Sequence, residues 1–228
     1  MIKLMTYNIC RTLGMDNLHS IERIVDVIRC AGAQIVCLQE VDQCLTRSAS
    51  IDQPAVFAQA LEMNVAFQGN LKMDTGWYGI AILTSYEIMH ELNHHLTSKD
   101  EPRGALEIGI NTPEGKLTVF CTHFGLEPDE REIQAGELAA LVNSTEGPKI
   151  VCGDFNEEAG DAGVARLMKS ASLIDADPNG SLTFDSINPA CRIDMILCSP
   201  DINIESVSVI ESQASDHLPL VAELYLGS

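Results

Sequence analysis

The chain has 228 residues, 46% of them apolar, enough for a sizeable core and for one large domain over residues 1–228. Lys and Arg total 14 against 33 Asp and Glu, a formal net charge of −19, which argues against a protein that grips long DNA or RNA by neutralising many phosphates. No run reaches the apolar length of a membrane span, and the eight cysteines include no Cys-x-x-Cys pair, which argues against a thiolate zinc site.

In chain order, Ile2 to Asn8 reads as a strand. It begins without a signal-peptide pattern, and Cys37, Cys121, Cys152 and Cys198 lie inside apolar strand-like runs where free cysteine acts as a small hydrophobe, so a reduced, cytoplasmic location is expected. Ile21, Ile24, Val25 and Ile28 recur at helical spacing and predict an amphipathic helix stopped near Gly32. Ile35 to Gln39 follows as a β-rich run that delivers Glu40. Asp52 can cap a second helix with Pro54 in its first turn and Val56, Phe57 and Leu61 as its apolar residues. Gly79 to Thr84, Ile88 to Leu96, Ala105 to Ile110 and Lys116 to Thr122 then read as successive strands, the last two joined by a hairpin at Asn111 to Gly115. Pro128 opens an acidic first turn, and Leu138, Leu141 and Val142 form the buried stripe of that helix. Lys149 to Gly153 is a strand, Val164, Leu167 and Met168 mark a helix, and Asp194 to Cys198, Ile204 to Ile210 and Leu218 to Leu226 are the closing strands. So many strands require two sheets. Two mixed sheets packed face to face, with helices outside, satisfy the pattern.

Five short islands place a polar group directly after an apolar run: Thr6-Tyr7-Asn8-Ile9, Leu38-Gln39-Glu40-Val41, Cys121-Thr122-His123-Phe124, Gly153-Asp154-Phe155-Asn156 and Ser215-Asp216-His217-Leu218-Pro219. A sixth, Arg192-Ile193-Asp194-Met195-Ile196-Leu197, holds an acid inside an apolar strand. A buried strand that ends in a polar group aims it out of the core edge, where sheet-based sites form. The set supplies oxygen ligands for a hard divalent cation and acid–base groups for hydrolysis.

In this order the islands resemble the endonuclease/exonuclease/phosphatase superfamily of metal-dependent phosphoesterases. The resemblance covers nearly the whole chain and includes Trp77-Tyr78-Gly79-Ile80-Ala81-Ile82-Leu83-Thr84 and Pro102-Arg103-Gly104-Ala105-Leu106. It implies a four-layer α/β sandwich, in line with the strand count. It also implies roles. Glu40 resembles the principal Mg²⁺ (or Mn²⁺) ligand, Asn8 the neutral group beside that metal, and Asp216 a second acid there. Asp154 resembles the residue that polarises the attacking water. Asn156, two residues on and expected to point the same way along an extended segment, resembles its partner at the phosphoryl oxygen. His217 resembles the histidine at the scissile phosphate, Asp194 the buried acid that holds its tautomer, and His123 a second phosphate-facing histidine. A carboxylate inside Ile193-Asp194-Met195 costs several kcal/mol unless paired, and a histidine satisfies it.

Other residues carry two readings each. Arg103, in a loop after Pro102, either grips a phosphate or forms a surface ion pair, and Arg47, in a loop after Glu40, has the same two readings and leans to the structural one. Trp77, the only tryptophan and in an apparent loop beside Gly76, either stacks on a substrate ring or closes the core edge, with the core favoured. His94 and His95 read as surface residues of a hairpin. One position departs from the abasic-site endonuclease branch, where an Asp stands two residues after the first Asn: here it is Cys10, a poor Mg²⁺ ligand. Three functions follow for comparison. The leading one is a phosphoesterase acting on a small or terminal phosphate mono- or diester. The second is a nuclease with the same chemistry, and the third a non-catalytic binding protein that keeps the fold.

Overall fold

A computed structural model describes residues 1–227. The strands are β1 (Ile2–Asn8), β2 (Ile35–Gln43), β3 (Asn64–Met73), β4 (Gly76–Thr84), β5 (Glu87–Leu96), β6 (Arg103–Thr112), β7 (Gly115–His123), β8 (Lys149–Asp154), β9 (Ile174–Asp175), β10 (Asp194–Cys198), β11 (Ile202–Val209) and β12 (Leu220–Leu226). The helices are α1 (Ile21–Ala31), α2 (Gln53–Leu61), α3 (Pro128–Ser144) and α4 (Ala162–Ser170).

The strands form two mixed six-stranded sheets, ordered β11-β12-β1-β2-β4-β3 and β5-β6-β7-β8-β10-β9. Their inner faces meet in one apolar layer that includes Leu4, Cys37 and Ile82 from the first sheet and Ile108, Cys121, Cys152 and Ile196 from the second. The outer face of the first sheet packs on α1 and α2 through Tyr7, Ile24, Ile28, Leu38 and Phe57. That of the second packs on α3 and α4 through Phe120, Leu138, Val142, Val151 and Leu167. The result is the expected four-layer α/β sandwich. All eight cysteines are free, and Cys37, Cys121, Cys152 and Cys198 are buried as small apolar residues.

Local sequence explains the helix ends. The Ser20 side chain accepts from Arg23 N, Gly32 terminates α1 in the left-handed region at φ 65°, and Asp52 accepts from Ala55 N to cap α2. Strand β3 escapes a sequence reading: Gly69 and Asn70 interrupt its pattern, and the register shifts between Gly69 and Leu71. Trp77 lies inside β4 rather than in a loop.

The two parallel pairs, β1 with β2 and β7 with β8, position the site. Parallel neighbours end on the same side of a sheet, so Asn8, Glu40, His123 and Asp154 all emerge at one edge of the sandwich. Asp194 opens the antiparallel β10 directly opposite Asp154, and His217 lies three residues before β12 at the same edge.

Candidate active site

Glu40 does not end its strand as expected. β2 continues to Gln43, and Glu40 sits at a register shift between Leu38 and Val41 with φ 58°. A non-glycine residue held there is strained, and such strain gathers at functional positions. The bulge turns the carboxylate to the sheet edge, where Oε2 accepts from Arg11 Nη1 at 2.9 Å and Oε1 from Asn8 Nδ2 at 3.2 Å.

Asn8 is the hub. Its Oδ1 accepts from the backbone of Cys10 at 3.1 Å, which fixes the carboxamide and aims Nδ2 at the site. From there Nδ2 also reaches Asp154 Oδ2 at 2.9 Å and lies 3.4 Å from His217 Nε2. Asn8 thus presents its nitrogen, not its oxygen, to the surrounding groups. Ser215 Oγ donates to the Asn8 carbonyl at 2.7 Å and ties the Ser215–His217 loop to the end of β1.

Asp154 is almost fully buried. It is brought in by Gly153, whose φ is 154° and where a Cβ would lie 2.0 Å from the Thr122 carbonyl oxygen of β7. Only glycine permits that approach. Asp154 Oδ1 accepts from Asn156 N at 2.9 Å. Asn156 has φ 52°, so the segment turns and the two side chains do not run parallel along an extended strand as the sequence reading expected. Instead Asn156 Nδ2 donates to the Phe124 carbonyl at 2.8 Å, which leaves its second proton free.

His217 and Asp194 meet as expected, with Nδ1 2.8 Å from Oδ2. The segment between α4 and β10 builds the rest of this wall. Thr183 Oγ1 accepts from Asp194 N at 3.3 Å, and the Phe184 ring packs on the imidazole with centroids 4.8 Å apart. His217 Nε2 lies 3.6 Å and His123 Nε2 3.5 Å from Asp154 Oδ2.

Environment splits the two histidines. Burial alone would lower the His217 pKa, but the charge and hydrogen bond of Asp194, with Asp154 and Asp216 behind them, raise it to about 10. His123 is driven well below the usual range by burial and by the positive charges of Arg103 and His217. Burial lifts the Asp154 carboxyl to about 6, against the lowering pull of His217 and the hydrogen bonds from Asn8 and Asn156. At neutral pH the site therefore holds an imidazolium, a neutral imidazole and a carboxylate poised near its own titration.

The oxygen-rich donor set suits a hard divalent cation. Asp154, Asp194 and His217 offer ligand-type atoms within 4.8 Å of one another, but Asp194 is sealed from solvent and engaged by His217. The partly open Glu40 carboxylate is the better seat for a metal, with Asn8 and Asp154 beside it. Asp216 Oδ1 lies 3.2 Å from Ser215 Oγ, whose proton is directed to the Asn8 carbonyl, and its charge acts on Cys10 and His217.

Arg103 is the first residue of β6, not a loop residue. It is buried, its Nη1 lies 2.7 Å from Glu101 Oε1, and its Nε has no hydrogen-bond partner. Arg47 takes the structural reading, gripping the buried Asp42 through Nε and Nη2 at 2.9 and 2.7 Å. Its guanidinium also stacks 5.0 Å from the Tyr78 ring centroid. Trp77 is 39% exposed and lies over Gly69, with Lys72 Nζ 5.9 Å from its ring centroid; it does not close the core. Ser215 stands in the last sequence island without an assigned role, and Arg11, Thr183 and Phe184 lie outside the islands. Arg11 lies in a single tight turn and Phe184 in a segment without periodicity, so no sequence signal marked either.

The chain belongs to the endonuclease/exonuclease/phosphatase family, whose model matches residues 5–217. Members of this family are metal-dependent hydrolases of phosphate ester bonds, and the chain is an enzyme of that class. Among sequences, it is 29% identical to the uncharacterized protein YbhP of Escherichia coli (strain K12), over 98% of this chain and 96% of that one. Among solved structures, it resembles an endonuclease/exonuclease/phosphatase from Beutenbergia cavernae DSM 12333, with TM-score 0.84 and 19% identity over 100% of this chain and 72% of that one. It also resembles the mannosyl-6-phosphatase Bt3783 of Bacteroides thetaiotaomicron VPI-5482, with TM-score 0.80 and 18% identity over 99% and 100%. Among the described residues no helix is long and apolar enough to cross a membrane.

Proposed function

We propose that the whole chain acts as one catalytic domain, a cytoplasmic Mg²⁺- or Mn²⁺-dependent phosphoesterase that hydrolyses a compact phosphate mono- or diester. The observation that carries this reading is the opposed charging of the Asp194–His217 pair and Asp154 around Asn8, beside the Glu40 carboxylate. Glu40 would hold the cation, which supplies Lewis-acid charge neutralisation at one phosphoryl oxygen when bound. Asp154, ionised above about pH 6, accepts the proton of the attacking water. Asn8 holds that carboxylate in place. His217, protonated and oriented by Asp194, donates toward the phosphoryl group or the leaving oxygen as charge develops. The free proton of Asn156 and the neutral His123 offer further contacts to the phosphoryl oxygens, and Arg103 Nε is a donor without a partner.

Substrate size follows from charge. With −19 overall, and with Arg11, Arg47 and Arg103 each already facing a carboxylate, little positive surface remains for a polyanion. The similarity to a mannosyl-6-phosphatase agrees with a compact phosphorylated substrate. The test is a hydrolysis screen with Mg²⁺, Mn²⁺ and chelator on p-nitrophenyl phosphate, bis-p-nitrophenyl phosphate, sugar phosphates, abasic DNA and RNA. Turnover of the small esters, abolished by chelator, supports the reading. Turnover confined to the nucleic acids, with duplex binding at submicromolar protein in about 150 mM salt, would replace it with a nuclease.

A further inference from the structure

The start of α3 carries buried polar groups beside the catalytic edge. Arg131 is only 9% exposed, and Glu157, on the segment that follows β8, only 5%. Arg131 Nε donates to Glu157 Oε2 at 2.9 Å. Its Nη1 donates to two backbone carbonyls, those of Gly125, at 3.3 Å, and Leu126. Glu157 uses its other oxygen to accept from Val164 N in the first turn of α4. One guanidinium therefore ties the turn after His123 of β7 to the turn after Asp154 of β8. The first of these turns rests directly on α3: Gly125 N donates to Gln134 Oε1 at 2.8 Å, and a Cβ on Gly125 would lie 2.4 Å from Glu130 Cδ. The two turns meet at Asn156, whose Nδ2 donates to the Phe124 carbonyl at 2.8 Å. Asn156 is the residue before Glu157, and Phe124 the residue before Gly125.

We infer that Arg131 is a positioning residue for phosphate ester hydrolysis, acting through Asn156 by clamping both turns that orient its carboxamide. The inference rests on the hydrolytic reading of this edge. A pair whose only task was to join α3 to α4 would need Glu157 alone, and two of the three Arg131 bonds go instead to the turn after His123. Stability by itself is also a weak reason for a buried ion pair, because apolar residues of similar volume often serve as well. The planar guanidinium suits the clamp, since it offers donors in fixed, diverging directions to a carboxylate and to carbonyls at once, which a lysine ammonium cannot reproduce. Small movements matter here: a displacement of about 1 Å near the reacting groups costs roughly 10²-fold in rate. In the sequence Arg131 stands among Asp129, Glu130 and Glu132, where a solvated ion pair is the ordinary expectation; its burial is what singles it out.

The test couples Arg131 to Asn156. Turnover of p-nitrophenyl phosphate and bis-p-nitrophenyl phosphate with Mg²⁺ is measured for the wild type, Arg131→Lys, Asn156→Ala and the double variant, with kcat expressed per folded molecule from circular dichroism. Arg131→Lys should lower kcat roughly 10–10²-fold in the wild-type background. In the Asn156→Ala background the same change should cost no more than about twofold, because the side chain it positions is gone. Equal losses in both backgrounds would overturn the inference, since a merely structural residue acts alike in each. The second readout is the Asn156 side-chain amide by NMR, which needs neither metal nor substrate. Its resonance should shift, and its exchange with solvent quicken, in Arg131→Lys. Glu157→Gln keeps an oxygen for Val164 N but turns an NH₂ group toward Arg131 Nε, so it should give the same change and carries the test if Arg131→Lys fails to fold. An Asn156 amide with wild-type shift and exchange in either folded variant would overturn the inference. A wild type that turns over neither ester would defeat the hydrolytic reading instead, and the amide measurement would still decide whether Arg131 positions Asn156.

Discussion

Replacing Asp194 by Asn isolates the pair at the centre of the site. The substitution keeps the shape and a hydrogen-bonding oxygen but removes the charge that faces His217 Nδ1 at 2.8 Å. With that charge gone, burial, already the largest influence, is opposed only by the charges of Asp154 and Asp216, and the imidazole should fall from about 10 toward the ordinary histidine range. At about 1.4 kcal/mol per unit, the rise from 6.5 to about 10 represents roughly 5 kcal/mol of preference for the imidazolium. The variant should therefore carry a mostly neutral His217 at pH 8, where the wild type is protonated. Loss of a positioned proton donor lowers turnover by about 10²–10⁴-fold. A raised histidine pKa stabilises the folded state fully below the unfolded value near 6.5, and that contribution is lost as pH climbs through about 10. The stability gap between wild type and variant should thus be widest at pH 6 and narrow toward pH 10. Histidine NMR titration, pH-dependent urea unfolding and turnover of p-nitrophenyl phosphate read all three effects. A His217 that still titrates near 10 in Asp194→Asn would refute the assignment of its charge to this partner.

Three other outcomes follow from the same geometry. Glu40→Gln should leave the fold intact, weaken Mg²⁺ binding measured by calorimetry and reduce hydrolysis by orders of magnitude; unchanged Mg²⁺ affinity would remove Glu40 from the metal. The wild-type rate should rise with pH as Asp154 ionises near 6 and fall as His217 deprotonates near 10, so an acid limb far from 6 would point to a different base. Gly153→Ala should cost about 3 kcal/mol in chemical denaturation, because its Cβ meets the Thr122 carbonyl at 2.0 Å; a variant as stable as wild type would show that β7 and β8 can part more easily than their register suggests.

What was legible in the sequence is what strand burial dictates. Apolar runs ending in Asn8, His123 and Asp154 announce strands that share an edge, and an acid within Ile193-Asp194-Met195 announces a buried partner. The misplaced features are those in which the backbone departs from regular geometry. Glu40 looked like a strand terminus because a bulge carries no side-chain signature, and Asn156 looked collinear with Asp154 because a left-handed turn at a non-glycine residue is not written in residue type. The Arg11–Glu40, Arg47–Asp42 and Glu107–histidine contacts join segments 5 to 29 residues apart. Charge alone could not select these partners from among 33 acids. Trp77 was misread for a related reason: Gly76 suggested a loop, whereas it lets β4 pass within 1.8 Å, measured from a would-be Cβ, of the Gln43 carbonyl oxygen.

The most direct test of phosphate ester hydrolysis at this edge is steady-state phosphate or nitrophenol release from small esters by wild type and Asp154→Asn, each with saturating Mg²⁺ and with chelator. The expected result is metal-dependent turnover in the wild type and its loss by about three orders of magnitude in Asp154→Asn, with the variant still folded. Turnover that survives in Asp154→Asn, or that ignores the chelator, would contradict the catalytic assignment.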